Sequence, residues 1–156
     1  MRPLIRVIMA FAATYGAGIA ALLFVAPTAE PWYESVIKPA FAPPFSLFII
    51  IWLVLYTLMA LVLSIVWRKD PDTSLVEGWA RFYFVQLLFS VAWIAFFFGF
   101  HAILIAFITA LFLGLIVAAL MASAPEIDRR IVYLLLPYLA CIVFAAYLTL
   151  QIWMLN

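Results

Sequence analysis

Long apolar runs, each about twenty residues in length, dominate this chain and alternate with short segments that hold most of its charges and prolines. A helix of about twenty residues matches the roughly 30 Å hydrocarbon core of a bilayer, and it satisfies its backbone hydrogen bonds internally. Hydrophobic residues make up 71% of the sequence and charged residues 10%, against about 45–50% and about 25% in a soluble domain. The sequence therefore predicts an all-α integral membrane protein.

Five such runs predict a bundle of five transmembrane helices in a single membrane domain that spans residues 1–156. The basic, apolar N-terminus is similar to a signal peptide, but its apolar run exceeds the roughly 7–15 residues of a signal core, so we expect an uncleaved helix. Residues 27–44 are too polar and proline-rich to cross a bilayer, and they are predicted to form a long first loop. The predicted helices cover about 4–26, 45–67, 78–98, 102–123 and 131–155.

Basic residues are divided unevenly between the two sides of the predicted bundle. Because cytoplasmic loops carry an excess of Lys and Arg, this distribution predicts a cytoplasmic N-terminus in a bacterial cell membrane, with the first loop outside. An outer or organellar membrane remains open as an alternative. The N-terminal side holds Arg2, Arg6, Arg68, Lys69, Arg81, Arg129 and Arg130, and the other side holds Lys38.

An aromatic helix face follows directly after the predicted loop. Phe48, Trp52 and Tyr56 lie four residues apart in the second helix and therefore share one face. The loop itself contains Trp32 and Tyr33, so we predict that it forms a lid over an aromatic pocket. Flat ligands stack on such walls, at roughly 0.5–1.5 kcal/mol per contact beyond burial. The alternative is that these aromatics are ordinary core and membrane-interface residues.

The remaining side chains argue against several classes of function. The predicted spans have no Asp, Glu, Lys or Arg near their centres, which argues against an ion-coupled pump. His101 is the single histidine, so no metal site is predicted, and a net charge of +1 without a basic stripe gives no indication of nucleic-acid binding. Small residues recur at every fourth position of the fourth helix and suit either internal packing or a homodimer contact: Ala102, Ala106, Ala110, Gly114, Ala118 and Ala122.

The motifs along the chain, taken in order, resemble those of the translocator protein / tryptophan-rich sensory protein family. The resemblance covers nearly the whole chain and implies a five-helix bundle, often dimeric, with a pocket beneath the first loop. It implies tetrapyrroles such as porphyrin or haem, sterols or synthetic aromatic molecules as ligands, and no obligatory cofactor. The matching residues are Trp32-Tyr33, Lys38-Pro39, Phe41, Pro43-Pro44, Trp52, Tyr56, Gln86-Leu87, Trp93, Phe97-Phe98-Gly99, Pro137-Tyr138-Leu139, Phe144-Ala145, Leu148 and Leu155-Asn156.

Several positions depart from the family pattern. Cys141 stands where the family usually has a tryptophan, which in some bacterial relatives is tied to light-driven porphyrin breakdown. The resemblance therefore favours a receptor or carrier over an enzyme, in which Trp52 would be the catalytic residue. No basic residue follows Tyr147, so the cholesterol-recognition pattern is absent and tetrapyrroles are favoured over sterols. A protein-scaffold role is a further alternative. The other departures are Ser90, Ile94 and Thr149, which replace Asn, Ser and Asn.

The predicted ligand site combines the aromatic pattern with the family resemblance. The few polar contacts that orient a hydrophobic ligand would come from Gln86, Ser90, Tyr56 and Thr149. Lys38 would pair either with Glu34 or with a porphyrin propionate. The complete set of predicted ligand-binding residues is Trp32, Tyr33, Lys38, Pro43, Pro44, Phe48, Trp52, Tyr56, Gln86, Phe89, Ser90, Trp93, Cys141, Ala145, Leu148 and Thr149.

Overall fold

The computed structural model describes residues 3–69 and 74–156, and these residues form five long helices. All five are long and apolar enough to cross a membrane, which confirms the predicted all-α, five-span architecture. Arg2, one of the basic residues behind the orientation prediction, lies outside the described residues. The helices are α1 (Pro3–Ser35), α2 (Phe45–Arg68), α3 (Ser74–Ile94), α4 (Ile103–Ser123) and α5 (Arg130–Leu155), with a π-helical turn at Ala95–Gly99 and a 3-10 turn at Ala124–Glu126.

The first helix is longer than the sequence predicts. We expected a loop from residue 27 onward, but α1 continues through Pro27 and Pro31 to Ser35. Its 33 residues give a helix about 50 Å long, which exceeds the roughly 30 Å hydrocarbon core of a bilayer. The connection to α2 is therefore limited to residues 36–44, which we call the lid segment, and the predicted loop is wrong in its first half.

The two prolines are tolerated in α1 because they lie on the outside of the bundle. Pro27 and Pro31 are four residues apart and both are exposed, so their rings lie on the outer face of the helix. On the opposite face, Val25, Ala29 and Tyr33 are buried at the same spacing. Packing of this inner face compensates for the backbone hydrogen bonds that the prolines remove.

The chain reverses direction sharply between α3 and α4. Helix α3 begins at Ser74, four residues earlier than predicted, and it ends in the π-helical turn, where the Phe100 N–H donates to the Ala95 carbonyl at 2.8 Å. His101 then adopts a φ of 55°, in the left-handed region that few non-glycine residues occupy. Its imidazole stacks on the indole of Trp32, with 4.6 Å between ring centroids. The turn is thereby joined to the end of α1.

The core of the bundle has two halves. One half lies toward the N-terminus of α1 and includes Met59 and Tyr83, both fully buried. The other half lies beneath the lid segment and is largely aromatic, with Tyr33, Trp93 and Phe98 at its centre. The aromatic half therefore occupies the end of the bundle where the sequence predicts a ligand pocket.

The small-residue stripe of α4 has two different surroundings. Ala106 and Ala110 are buried, and α4 packs along α5 and α3. Ala118 and Ala122 are exposed. The first half of the stripe is thus a packing face inside the bundle, as the close approach of helices over small residues requires.

Candidate functional site

A cavity of about 50 Å³ lies between α2, α4 and α5 beneath the lid segment, and we call it the inner cavity. The indoles of Trp52 and Trp93 stack along its wall, with 5.6 Å between centroids and an interplanar angle of 25°. Both side chains come from helix interiors, α2 and α3, so their positions are fixed by packing. The inner cavity is lined by Pro43, Phe48, Ile51, Trp52, Leu55, Trp93, Ala110, Leu113, Tyr138, Cys141, Ile142, Phe144 and Ala145.

A second cavity, of about 110 Å³, lies between α1 and α2, and we call it the outer cavity. Its wall includes Ile19 and Leu53, which are each 52% exposed, so it opens on the outer surface of the bundle. Phe48 and Trp52 line both cavities. These two side chains are therefore the partition between the outer and inner cavities.

Polar side chains meet next to the inner cavity in a buried cluster. The hydroxyl of Tyr138 donates to Gln86 Oε1 at 2.9 Å, and the hydroxyls of Tyr56 and Ser90 lie 3.1 Å apart. Among the described residues, Gln86 Nε2 and the Trp93 indole N–H have no hydrogen-bond partner. The cluster therefore contains buried donors whose hydrogen bonds are not made within the described chain.

Tyr33 and Lys38 hold the lid segment against the end of α1. The hydroxyl of Tyr33 donates to the Pro43 carbonyl at 2.8 Å. The ammonium of Lys38 donates to the Tyr33 carbonyl, lies 3.4 Å from a carboxylate oxygen of Glu34, and sits 4.6 Å above the Tyr33 ring. Of the two predicted partners for Lys38, the chain itself supplies Glu34.

The C-terminus of α5 holds the other side of the lid segment. The Ile37 N–H donates to Asn156 Oδ1, and Asn156 Nδ2 donates to the Ile37 carbonyl, both at 3.0 Å. Phe41 stacks on Tyr147, with centroids 5.5 Å apart. In the sequence Asn156 contributes only to the family resemblance, and its contact with Ile37 could not be inferred because no periodic pattern relates a loop to a distant helix end.

Comparison with known proteins identifies the family of the chain. Residues 9–154 match the model of the TspO/MBR family. The chain belongs to the TspO/MBR family. It is 30% identical over 143 residues to the tryptophan-rich protein TspO of Chlorobaculum tepidum, covering 89% of this chain and 88% of that protein. It is 31% identical over 154 residues to the protein of the same name from Archaeoglobus fulgidus, covering 98% of both. The dog translocator protein 2 is 32% identical over 130 residues, covering 78% of this chain and 72% of that protein.

Membership of the TspO/MBR family makes the chain an integral, multi-pass membrane protein with a sensory or binding role in the membrane. The family resemblance pointed to a pocket under the first loop, and the inner cavity lies at that place. Six of the predicted ligand-binding residues line it: Pro43, Phe48, Trp52, Trp93, Cys141 and Ala145.

The other predicted residues have different positions. Tyr56 lines the outer cavity. Phe89 lies outside both cavities, with its ring 6.3 Å from that of Phe112 on α4. The hydroxyl of Thr149 donates to the Ala145 carbonyl of its own helix at 2.7 Å, so its hydrogen is not available to a ligand. Trp32, Tyr33, Lys38 and Pro44 form the end of α1 and the lid segment, Gln86 and Ser90 belong to the polar cluster, and Leu148 is buried in the aromatic half of the core.

Proposed function

We propose that this TspO/MBR protein is a membrane receptor or carrier for flat hydrophobic molecules, with tetrapyrroles as the favoured class. The observation that carries the proposal is the stacked pair of Trp52 and Trp93 on the wall of the inner cavity. A flat ligand that stacks on an aromatic side chain of this wall gains roughly 0.5–1.5 kcal/mol beyond the burial of its surface.

Ligand binding requires the site to open. The inner cavity holds about 50 Å³ and the outer about 110 Å³, whereas pockets for drug-sized molecules hold about 300–1,000 Å³. Phe48 and Trp52 separate the two spaces, so rotation of these side chains would join them. The lid segment covers this end of the bundle through a few hydrogen bonds and one aromatic stack, and its displacement would admit the ligand.

Lys38 supports a ligand that carries carboxylates at its edge. Its side chain is 21% exposed and pairs with a Glu34 carboxylate that is 59% exposed. An ion pair that reaches the surface in this way is worth about 0–1 kcal/mol, so exchange of Glu34 for a ligand carboxylate costs little. The propionates of a porphyrin would meet Lys38 while the ring lies against Trp52.

The orientation and assembly of the chain form part of this proposal. The distribution of basic residues favours a cytoplasmic N-terminus in a bacterial cell membrane, with the lid segment outside. Exposed Ala40 offers the test of orientation, because Ala40→Cys in a Cys141→Ser background should react with a membrane-impermeant maleimide on intact cells.

The exposed half of the α4 stripe, at Ala118 and Ala122, would serve as the homodimer contact. The double variant Ala118→Leu, Ala122→Leu should then lower the oligomer mass.

The binding proposal is tested by titrating the purified protein in detergent with protoporphyrin IX and following porphyrin absorbance. We expect saturable binding that is about tenfold weaker in Trp52→Ala, since loss of one stack and its buried area removes at least 1.4 kcal/mol. Trp153→Phe is the matched control, because Trp153 is 46% exposed and lies outside both cavities. Absence of saturable binding, or equal affinity in the Trp52→Ala variant, would show that the proposal is wrong.

A further inference from the structure

The end of α1 and the turn before α4 are joined by a contact between two aromatic rings, those of Trp32 and His101. The imidazole lies nearly parallel to the indole, with an interplanar angle of 9° and 4.6 Å between centroids. His101 is exposed, and its φ of 55° holds the backbone of the turn at this point. The imidazole can therefore exchange protons with water while its ring covers the indole.

Trp32 connects this contact to the aromatic half of the core. Its indole meets the Phe97 ring edge to face at 5.1 Å, and Phe97 stacks on Trp93 in the wall of the inner cavity at 5.3 Å. The next residue along α1, Tyr33, donates to a carbonyl of the lid segment. A change in the contact between His101 and Trp32 would therefore reach both the cavity wall and the lid segment.

His101 is the single histidine of the chain, and histidine is the side chain that ordinarily changes its charge between about pH 5 and 8. The face of an indole carries partial negative charge and attracts a cation placed over it. A neutral imidazole has only the stacking attraction, whereas a protonated one has this electrostatic attraction as well. Protonation of His101 should therefore strengthen its contact with Trp32.

The other charged groups around His101 leave the indole as the partner that distinguishes its two charge states. On α1, Glu30 and Glu34 lie two positions before and after Trp32, and therefore on other faces of the helix. Glu34 is paired with Lys38, the charged residue of the lid segment. The π-helical turn and the first turn of α4 contain no ionisable side chain. None of the ion pairs within the described ranges includes His101.

We propose that His101 and Trp32 form a pH-sensitive latch, in which protonation of the imidazole tightens the end of α1 against the turn before α4 and holds the lid segment closed. This inference concerns the conformation of the chain itself and goes beyond the proposed binding function. The protonated form is the one that the folded latch favours, so its stabilising contribution is present at about pH 5 and is lost as the pH rises to about 8.

The test follows hydrogen exchange of the purified full chain in detergent at pH 5 and pH 8, by mass spectrometry on peptides that cover residues 32–44. Each rate is divided by the intrinsic exchange rate at that pH. Protection of the wild type should be about two- to fivefold greater at pH 5, the effect of a cation on an exposed aromatic face. His101→Phe keeps an aromatic ring without a titratable group and should show no such gain. His101→Arg carries a planar cation at both pH values and should show the higher protection at both.

A further variant and a second measurement test the role of the indole. Trp32→Leu leaves the histidine but removes the ring face, so it should lose the pH effect. In thermal unfolding, the margin of the wild type over His101→Phe should be larger at pH 5 than at pH 8. Equal pH dependence in the wild type and His101→Phe, or weaker protection of the wild type at pH 5, would overturn the inference. A pH effect that survives in Trp32→Leu would also overturn it, since the cation would then have another partner.

Discussion

The side-chain amide of Asn156 pairs with the backbone of Ile37 through two reciprocal hydrogen bonds of 3.0 Å, across 119 positions of sequence. The same Nδ2 also donates to the Ile152 carbonyl at 2.8 Å, which fixes the amide on the last turn of α5. The lid segment is thus attached to the helix that forms one wall of the inner cavity. We expect a ligand that enters beneath the lid segment from this side to break the pair first.

Replacing Asn156 with Ala should therefore loosen the lid segment. Two net hydrogen bonds amount to about 1–3 kcal/mol, so we expect hydrogen exchange at the Ile37 amide to rise by about one order of magnitude or more. Exchange is read by mass spectrometry on peptides that cover residues 36–44. Gln151→Ala removes an amide from the same helix and should leave the exchange unaltered. Equal exchange in the Asn156→Ala variant and the wild type would mean that other contacts hold the lid segment.

His101 is held in a left-handed conformation while its ring stacks on Trp32. A side chain in this region costs about 1–2 kcal/mol relative to glycine, whereas the aromatic stack returns roughly 0.5–1.5 kcal/mol. His101→Ala keeps the strain and loses the stack, so it should be the least stable variant. His101→Gly loses both and should lie near the wild type. Thermal unfolding in detergent gives the order, and His101→Phe should keep the stability of the stack.

Several features of this fold follow from sequence pattern, and others depend on long-range packing. Trp52 and Tyr56 share one face of α2 because residues four positions apart do so in any α-helix. The sequence does not predict that α1 extends to Ser35, because prolines such as Pro27 and Pro31 normally end a helix. The helix continues because Ala29 and Tyr33 are buried on its inner face, and this packing cannot be read from the sequence. The Trp93 N–H could not be recognised as unpaired, since hydrogen-bond satisfaction depends on neighbours from other helices.

Asp128, in the connection between α4 and α5, should make the stability of the protein depend on pH in the acid range. Its carboxylate accepts from the Arg130 N–H at 3.0 Å and lies 3.2 Å from the Lys69 ammonium. These contacts lower the pKa of Asp128 below its ordinary value of 3.8, with the backbone hydrogen bond as the largest cause. A lowered folded-state pKa stabilises the protein above 3.8, and this contribution is lost as the pH falls through the folded-state pKa.

The matched variant for this test is Asp128→Asn, which can still accept from the Arg130 N–H but has no charge to pair with Lys69. The melting temperature of the wild type should exceed that of the variant by a small margin at pH 7, because solvent screens the ion pair between Asp128 and Lys69. The difference should shrink as the pH falls below about 4 and vanish once the wild-type carboxyl is protonated. A difference that stays constant down to pH 2 would assign it to the amide rather than to the charge.

Gly18 of α1 packs closely against Tyr56 of α2, next to the outer cavity. A Cβ added there would lie 2.6 Å from Tyr56 Cε1, whereas a Cβ added at Gly16 would meet no atom within 4 Å. Tyr56 is 4% exposed and holds the hydrogen bond to Ser90, so its ring cannot move aside without loss. Gly18→Ala should therefore lower the free energy of unfolding by about 1–3 kcal/mol through overpacking.

Gly16→Ala should instead raise the free energy of unfolding, because alanine in a helix is favoured over glycine by about 1 kcal/mol and the added Cβ meets no atom. Both variants are compared by thermal unfolding in the same detergent. Gly18→Ala should also weaken protoporphyrin IX binding, since displacement of Tyr56 alters the wall that it shares with Trp52 in the outer cavity. Equal stability of the two variants would mean that α1 can move away from α2 at no cost.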